Sequence, residues 1–269
     1  MRFNFKIQTY QTDAVNSVVN SFIGQKFSEG LSYRRDIGDI KEKKTYSQVY
    51  IDYEDDSGEL TYKDDFDETG FRNEKVSLTS KELLSNIRKV QQNNNVLISD
   101  SLVDNLGACS LDIEMETGTG KTYVYIKTMF ELNRKYGWSK FIVVVPSIAI
   151  REGVKKSFEM TQDHFMEEYQ KKVRFFVYDS KNLNQLDSYS SNSGINCMII
   201  NMQAFNTSLK EGSRSKESRI IYDKRDEFGS RRPIDVIKAN NPILILDEPQ
   251  KMGGRRRKLL LKTLTLYLL

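Results

Sequence analysis

The sequence predicts an α/β protein built on a mostly parallel sheet with helices on both faces. Three observations predict it. From about residue 108, apolar runs of strand length alternate with amphipathic runs of helix length. The runs "KFIVVVPS", "NCMIINMQAF" and "NPILILDEPQ" are apolar at nearly every position, as strands covered on both faces must be. A glycine-threonine loop, "EMETGTGKT" (114–122), joins one such run to a helical one.

In chain order, "YQTDAVNSVVNSFIG" places Ala14, Val15, Val18, Val19 and Phe22 at helical spacing, with Gly24 as a stop. Residues 25–107 are polar with weak periodicity and read as an insertion before the loop. Within them "TSKELLSNIRKVQQNN" predicts a helix capped by Thr79 or Ser80. "CSLDIEM" then reads as a strand, followed by a helix over 121–136, the strand "KFIVVVPS" and a helix over about 148–170. "KVRFFVYD", "NCMIINMQAF" and "NPILILDEPQ" supply further strands. The resulting division is 1–24, an insertion at 25–107, an α/β core at 108–254 and a compositionally odd tail, "RRRKLLLKTLTLYLL", at 255–269.

The 269 residues, 38% hydrophobic and 29% charged, permit a substantial core. No apolar run reaches the length needed to span a bilayer, so no membrane association is expected. The N-terminus lacks a secretory pattern, which places the expected location in the cytoplasm. Cys109 and Cys197 lack metal-ligand spacing and read as buried, reduced thiols; the single histidine, His164, is expected on a polar helix face. A net charge of +4 by itself indicates no partner. Its distribution is uneven, with an acidic run at 52–68 and a basic one at 214–233, the latter the better candidate for a phosphate-backbone contact.

The loop carries the chemistry. Gly120, Lys121 and Thr122 match the end of the pattern G-x-x-x-x-G-K-[ST] between a strand and a helix, although Met115 stands where the first glycine belongs. Gly118 compensates in part, because glycine accepts a positive φ. Backbone N–H groups from Thr117 through Gly118, Thr119 and Gly120 to Thr122 are expected to line one anion-binding concavity at a helix N-terminus. A triphosphate such as ATP suits that site, with the Lys121 ammonium on the β and γ phosphates and the Thr122 hydroxyl on Mg²⁺. "PILILDEPQ" releases Asp247 and Glu248 at the carboxyl end of a buried strand, where α/β folds place their ligands. Asp247 is assigned to Mg²⁺ and Glu248 to the attacking water.

"METGTGKT", "VVVPSIAIREGV", "INMQAF" and "LDEPQ", in that order, resemble the first RecA-like motor domain of superfamily two helicases and translocases. "YQTDAV" resembles that group's glutamine motif, which assigns Gln11 to the adenine edge. The wording of "SLDIEMETGTGKTYVYIKTMFELN", "GWSKFIVVVPSIAIREGV" and "DEPQKMGG" is closer still to the restriction (Res) subunits of type III restriction-modification enzymes. That resemblance implies an ATP-dependent translocase acting on double-stranded DNA with a methyltransferase (modification) subunit. In it Ser147 and Arg151, at the start of the helix after "VVVP", approach DNA phosphates; a simple helix cap is the competing role for Ser147.

After Gly254 the resemblance ends. A motor would continue into a Ser-Ala-Thr motif and a second RecA-like domain with an arginine finger, and a type III subunit into a nuclease domain. The tail is therefore read as a frameshifted or truncated end, with an amphipathic closing helix as the alternative. Without a finger the chain is expected to bind nucleotide better than it hydrolyses it. A non-catalytic interaction module retaining the fold is the competing function. A small-molecule kinase fits less well, because it leaves "YQTDAV" and the motif order without a role.

Overall fold

The computed structural model describes residues 5–38, 69–103, 109–205, 221–252 and 266–268. At its centre is a parallel sheet of five strands. These are β3 (Lys140–Val145), β4 (Arg174–Val177), β5 (Asn196–Asn201), β6 (Ile243–Leu246) and β7 (Leu266–Leu268), in the order β4-β5-β3-β6-β7. Among the described residues six α-helices accompany it: α1 (Thr9–Asn20), α2 (Ser80–Asn93), α3 (Lys121–Tyr136), α4 (Ile148–Tyr169), α5 (Asn184–Ser191) and α6 (Pro233–Ala239). A hairpin of β1 (Leu31–Arg34) and β2 (Thr69–Arg72) forms a separate antiparallel pair.

Alternate residues of one strand point to opposite faces, and here each face has its own core. Phe141, Val143 and Val145 of β3, with Cys197, Ile199 and Ile245, meet Val15 and Val19 of α1, Met129 of α3 and Phe158 of α4. Ile142 and Val144, with Met198, Ile200 and Leu244, meet Leu186 and Tyr189 of α5 and Ile237 of α6. Two cores explain why the strands carry almost no polar residue. Each fully buried aliphatic side chain contributes about 1.5–3 kcal/mol.

The elements read from 9–20, 80–93, 121–136 and 140–201 follow the sequence patterns closely. Thr79, one of the two expected caps, closes α2 with a full capping box. Its side chain accepts from Glu82 N, and Glu82 accepts from Thr79 N at 2.8 Å. Trp138 is fully buried and its Nε1 donates to Glu74 O at 3.0 Å. The thiols of Cys109 and Cys197 are buried and unpaired, and burial pushes the Cys109 thiol up to about 12 and raises that of Cys197 as well.

Three readings differ. "CSLDIEM" is no strand, because residues 109–116 make no ladder; the open flank of β6 is taken instead by β7. The segment still keeps the period of two. Cys109 and Leu111 are buried, Ile113 and Met115 pack against the core, and Asp112, Glu114 and Glu116 are exposed. Secondly, the described end of the tail, Leu266–Leu268, is a strand, in place of an amphipathic helix; the basic cluster 255–258 and the acidic run 52–68 lie outside the described residues. Thirdly, the described parts of 25–107 are integral to the core. Leu83 and Ile87 of α2 join its first cluster. Asn73, just after β2, is 2% exposed and grips the start of β3, accepting from Ser139 N at 2.7 Å and Lys140 N at 2.9 Å and donating to Lys140 O at 2.8 Å.

Candidate nucleotide site

α3 begins at Lys121 directly after the loop, and β6 ends at Leu246 just before Asp247. Asp247 N still donates to Val144 O at 3.0 Å, so the carboxylate pair leaves the sheet at a fixed height. The two segments meet around a cavity of about 510 Å³. It is walled by Thr117, Gly118, Gly120, Lys121 and Thr122 of the loop, by Asp247, Glu248 and Lys251 after β6, by α4, and by Phe5. Loop, strand end and helix thus converge as in other anion sites at helix N-termini.

The loop turns through two glycines. Gly118 has φ +84° and open space where a Cβ would be. Gly120, the residue before α3, has φ +88°, and a Cβ there would stand 2.6 Å from Gln11 Nε2. Both conformations disfavour other L residues. Thr119, expected among the anion-facing amides, does not line the cavity. Its N–H points back to Glu116 O at 3.4 Å, its hydroxyl donates to the same carbonyl at 2.6 Å, and its own carbonyl accepts from Gln11 Nε2 at 2.9 Å. The reason is local, since a turn closed on Glu116 O consumes that amide. Gln11 therefore stands behind the loop as a brace, joined by Tyr10, whose hydroxyl reaches Thr119 O at 3.3 Å.

At the other wall Lys121 Nζ lies 3.8 Å from Glu248 Oε1, and Lys251 Nζ 3.5 Å from Glu248 Oε2. Glu248 adopts φ +57°, an unusual conformation for a residue with a Cβ. The Asp247 carboxyl is held above its ordinary range, chiefly by burial and then by the Glu248 charge; Tyr125, Lys121 and Lys251 oppose the shift. Lys121, Thr122, Asp247 and Glu248 are thereby brought to one cavity. The oxygen donors present, the Thr122 hydroxyl and the two carboxylates, suit a hard cation such as Mg²⁺, which needs few protein ligands when phosphates supply the rest. Among the described residues no cluster of three or more His, Cys, Asp or Glu forms a metal cage.

Ser147 and Arg151, at the start of α4, are not among the residues lining the cavity. Ser147 caps α4, its Oγ accepting from Ile150 N at 3.3 Å, and Arg151 pairs with Glu152 at 2.9 Å. In the described part of the basic run, Arg225 pairs with Glu227, Arg231 with Asp187 and Arg232 with Asp235. Of these, Arg231 is the nearly buried clamp, whereas Arg225 and Arg232 make surface pairs. Sequence reasoning missed Phe5, whose ring stacks on Tyr123 at 6.0 Å and lies 5.1 Å from His164. The aromatic residue six positions before Gln11 was the available signal. His164 itself is turned inward, with Tyr123 Oη 2.9 Å from its Nε2, and burial lowers its affinity for a proton.

Comparison with known proteins follows this geometry. The family model described as "Type III restriction enzyme, res subunit" matches residues 4–251. The chain is 32% identical over 196 residues to the Res subunit of the type III restriction-modification enzyme EcoP15I of Escherichia coli, covering 66% of this chain and 19% of that protein. The EcoPI Res subunit of Escherichia phage P1 matches to the same extent. The StyLTI Res subunit of Salmonella typhimurium is 32% identical over 162 residues, 54% of this chain and 16% of the relative. The chain thus spans about a fifth of the length of the curated relatives it matches.

Proposed function

This chain belongs to the family of type III restriction enzyme Res subunits and carries its helicase-type domain, and from that premise we propose that it binds ATP with Mg²⁺ as the motor domain of a DNA restriction enzyme. The observation that carries the reading is the meeting of Lys121 and Thr122 with Asp247 and Glu248 at one cavity, from segments more than a hundred residues apart. Gly118 and Gly120 let the backbone wrap the phosphates, and Lys121 leaves Glu248 to neutralise the β and γ oxygens. Thr122 and Asp247 hold the cation, which when bound neutralises charge on the phosphates. Glu248, once released from Lys121, accepts a hydrogen bond from the attacking water and orients it. Gln11 keeps its Nε2 on the loop and offers Oε1 to the adenine amino group.

Double-stranded DNA is the proposed track, met by Ser147 and Arg151 at the start of α4, and a methyltransferase subunit is the proposed partner. Both readings are supported by the Res-subunit names of the relatives. Turnover by this chain alone is expected to be slow. Among the described residues the cations lining the cavity are Lys121 and Lys251, both beside Glu248, and no cation faces them to stabilise charge developing on the far side of the γ-phosphate.

The test is a thermal shift with ATP and Mg²⁺. A ligand that binds only the folded state adds RT ln(1 + [L]/Kd), about 2.7 kcal/mol at a hundredfold excess over Kd. Lys121→Ala is expected to abolish the shift. A shift that survives in that variant refutes the assignment of the loop.

A further inference from the structure

We infer that Tyr125 is a positioning residue for the cation's protein ligands, a phenol on α3 that ties the Thr122 hydroxyl to the Asp247 carboxylate. This rests on the reading of the cavity as a Mg²⁺-nucleotide site. Residues three apart on a helix share a face, so Tyr125 stands one turn beyond Thr122 and points with it toward the end of β6. Its Oη lies 3.5 Å from Asp247 Oδ2, at the outer limit of a hydrogen bond, and the Thr122 side chain is its other hydrogen-bonding neighbour. The ring packs against the first core, so the hydroxyl is delivered from a fixed base.

The chemistry gives the contact a direction. A carboxylate only accepts, so Tyr125 donates to Asp247. Its own oxygen then accepts from Thr122, whose hydroxyl proton is spent inward. Lone pairs on Thr122 Oγ1 and the second carboxylate oxygen of Asp247 are left for a cation. Long contacts of this kind tighten when the ligand arrives.

The experiment compares wild type with Tyr125→Phe, which keeps the ring and removes the hydroxyl. At a fixed concentration of a non-hydrolysable ATP analogue, Mg²⁺ is titrated and the thermal shift is followed; analogue affinity is measured separately in EDTA. The expected result is a rise of about tenfold in the half-saturating Mg²⁺ concentration, the worth of one hydrogen bond to a charged group, with metal-free affinity unchanged. An unchanged Mg²⁺ midpoint overturns the proposal. So does a variant that only melts earlier with the midpoint in place, since that is the signature of packing alone. Lys121→Ala, run alongside, separates the two readings. Its loss of analogue binding both with Mg²⁺ and in EDTA supports the site, whereas wild-type binding by Lys121→Ala removes the site on which the Tyr125 role depends.

Discussion

Lys140 opens β3 with its side chain fully buried, and its ammonium donates to Tyr189 O and Asn192 O while lying 5.3 Å from the Tyr189 ring. Burial pushes its pKa from 10.5 down to about 7. The folded state therefore releases this proton near pH 7, whereas the unfolded chain holds it until about 10.5. Between those values the unfolded state binds more protons, so the contribution to stability rises with pH across the window and is flat below it. The full displacement corresponds to about 5 kcal/mol. Urea unfolding of wild type and Lys140→Met at pH 6, 7, 8 and 9 isolates it, because all other groups cancel in the difference. The variant pays a pH-independent cost of about 1–3 kcal/mol for each carbonyl left without a donor. Wild type is expected to gain about 2 kcal/mol on the variant from pH 7 to pH 9. Parallel curves would refute the argument, and a gap that narrows with rising pH would reverse its sign.

Two further substitutions test the scaffold and the loop. Asn73→Ala strips three hydrogen bonds from the start of β3 and should cost about 3–5 kcal/mol in denaturant unfolding, because the abandoned backbone groups are buried; a loss below about 1 kcal/mol would show that water or a shifted neighbour replaces the side chain. Gly120→Ala meets both the positive φ and Gln11 Nε2 at 2.6 Å. It should lower stability by about 1–2 kcal/mol and weaken the ATP-induced thermal shift, while an undiminished shift would mean that the loop need not keep this shape to bind.

The parts of the fold legible in the sequence are those whose signal is local. α3 shows a Gly-Lys-Thr start and an apolar face, and β3, β5 and β6 show uninterrupted apolar runs, so their extents follow from residue order alone. "CSLDIEM" has the composition and period of a strand, yet a strand also needs a partner at hydrogen-bonding distance. The flank of β6 belongs to a segment some hundred and fifty residues later, which no local pattern announces. Asn73 is a stronger case. In sequence it is one asparagine in a polar stretch, and only the return of the chain from β2 to the head of β3 makes it a buried bracket.

The same distinction runs through the site. Lys121, Thr122, Asp247 and Glu248 were readable because a motif states both the residue type and the element that must follow or precede it. Gln11 was readable as a residue with work to do, but its partner was not, for the loop's carbonyl at Thr119 turns toward α1 only because the N–H of that residue is consumed by Glu116. The consequence is mechanical. α1, through Gln11 and Tyr10, holds the back of the loop, while β6, through Glu248, holds its lysine from the front. On the proposed reading, a phosphate that draws Lys121 away from Glu248 would change the front contact and leave the back contact to keep the loop in place. Nucleotide arrival would then release Glu248 from Lys121 while the loop stays braced from behind. Of the two acidic residues lining the cavity, Glu248 is the one with a positive φ, and its contact with Lys251 Nζ holds it there independently of Lys121.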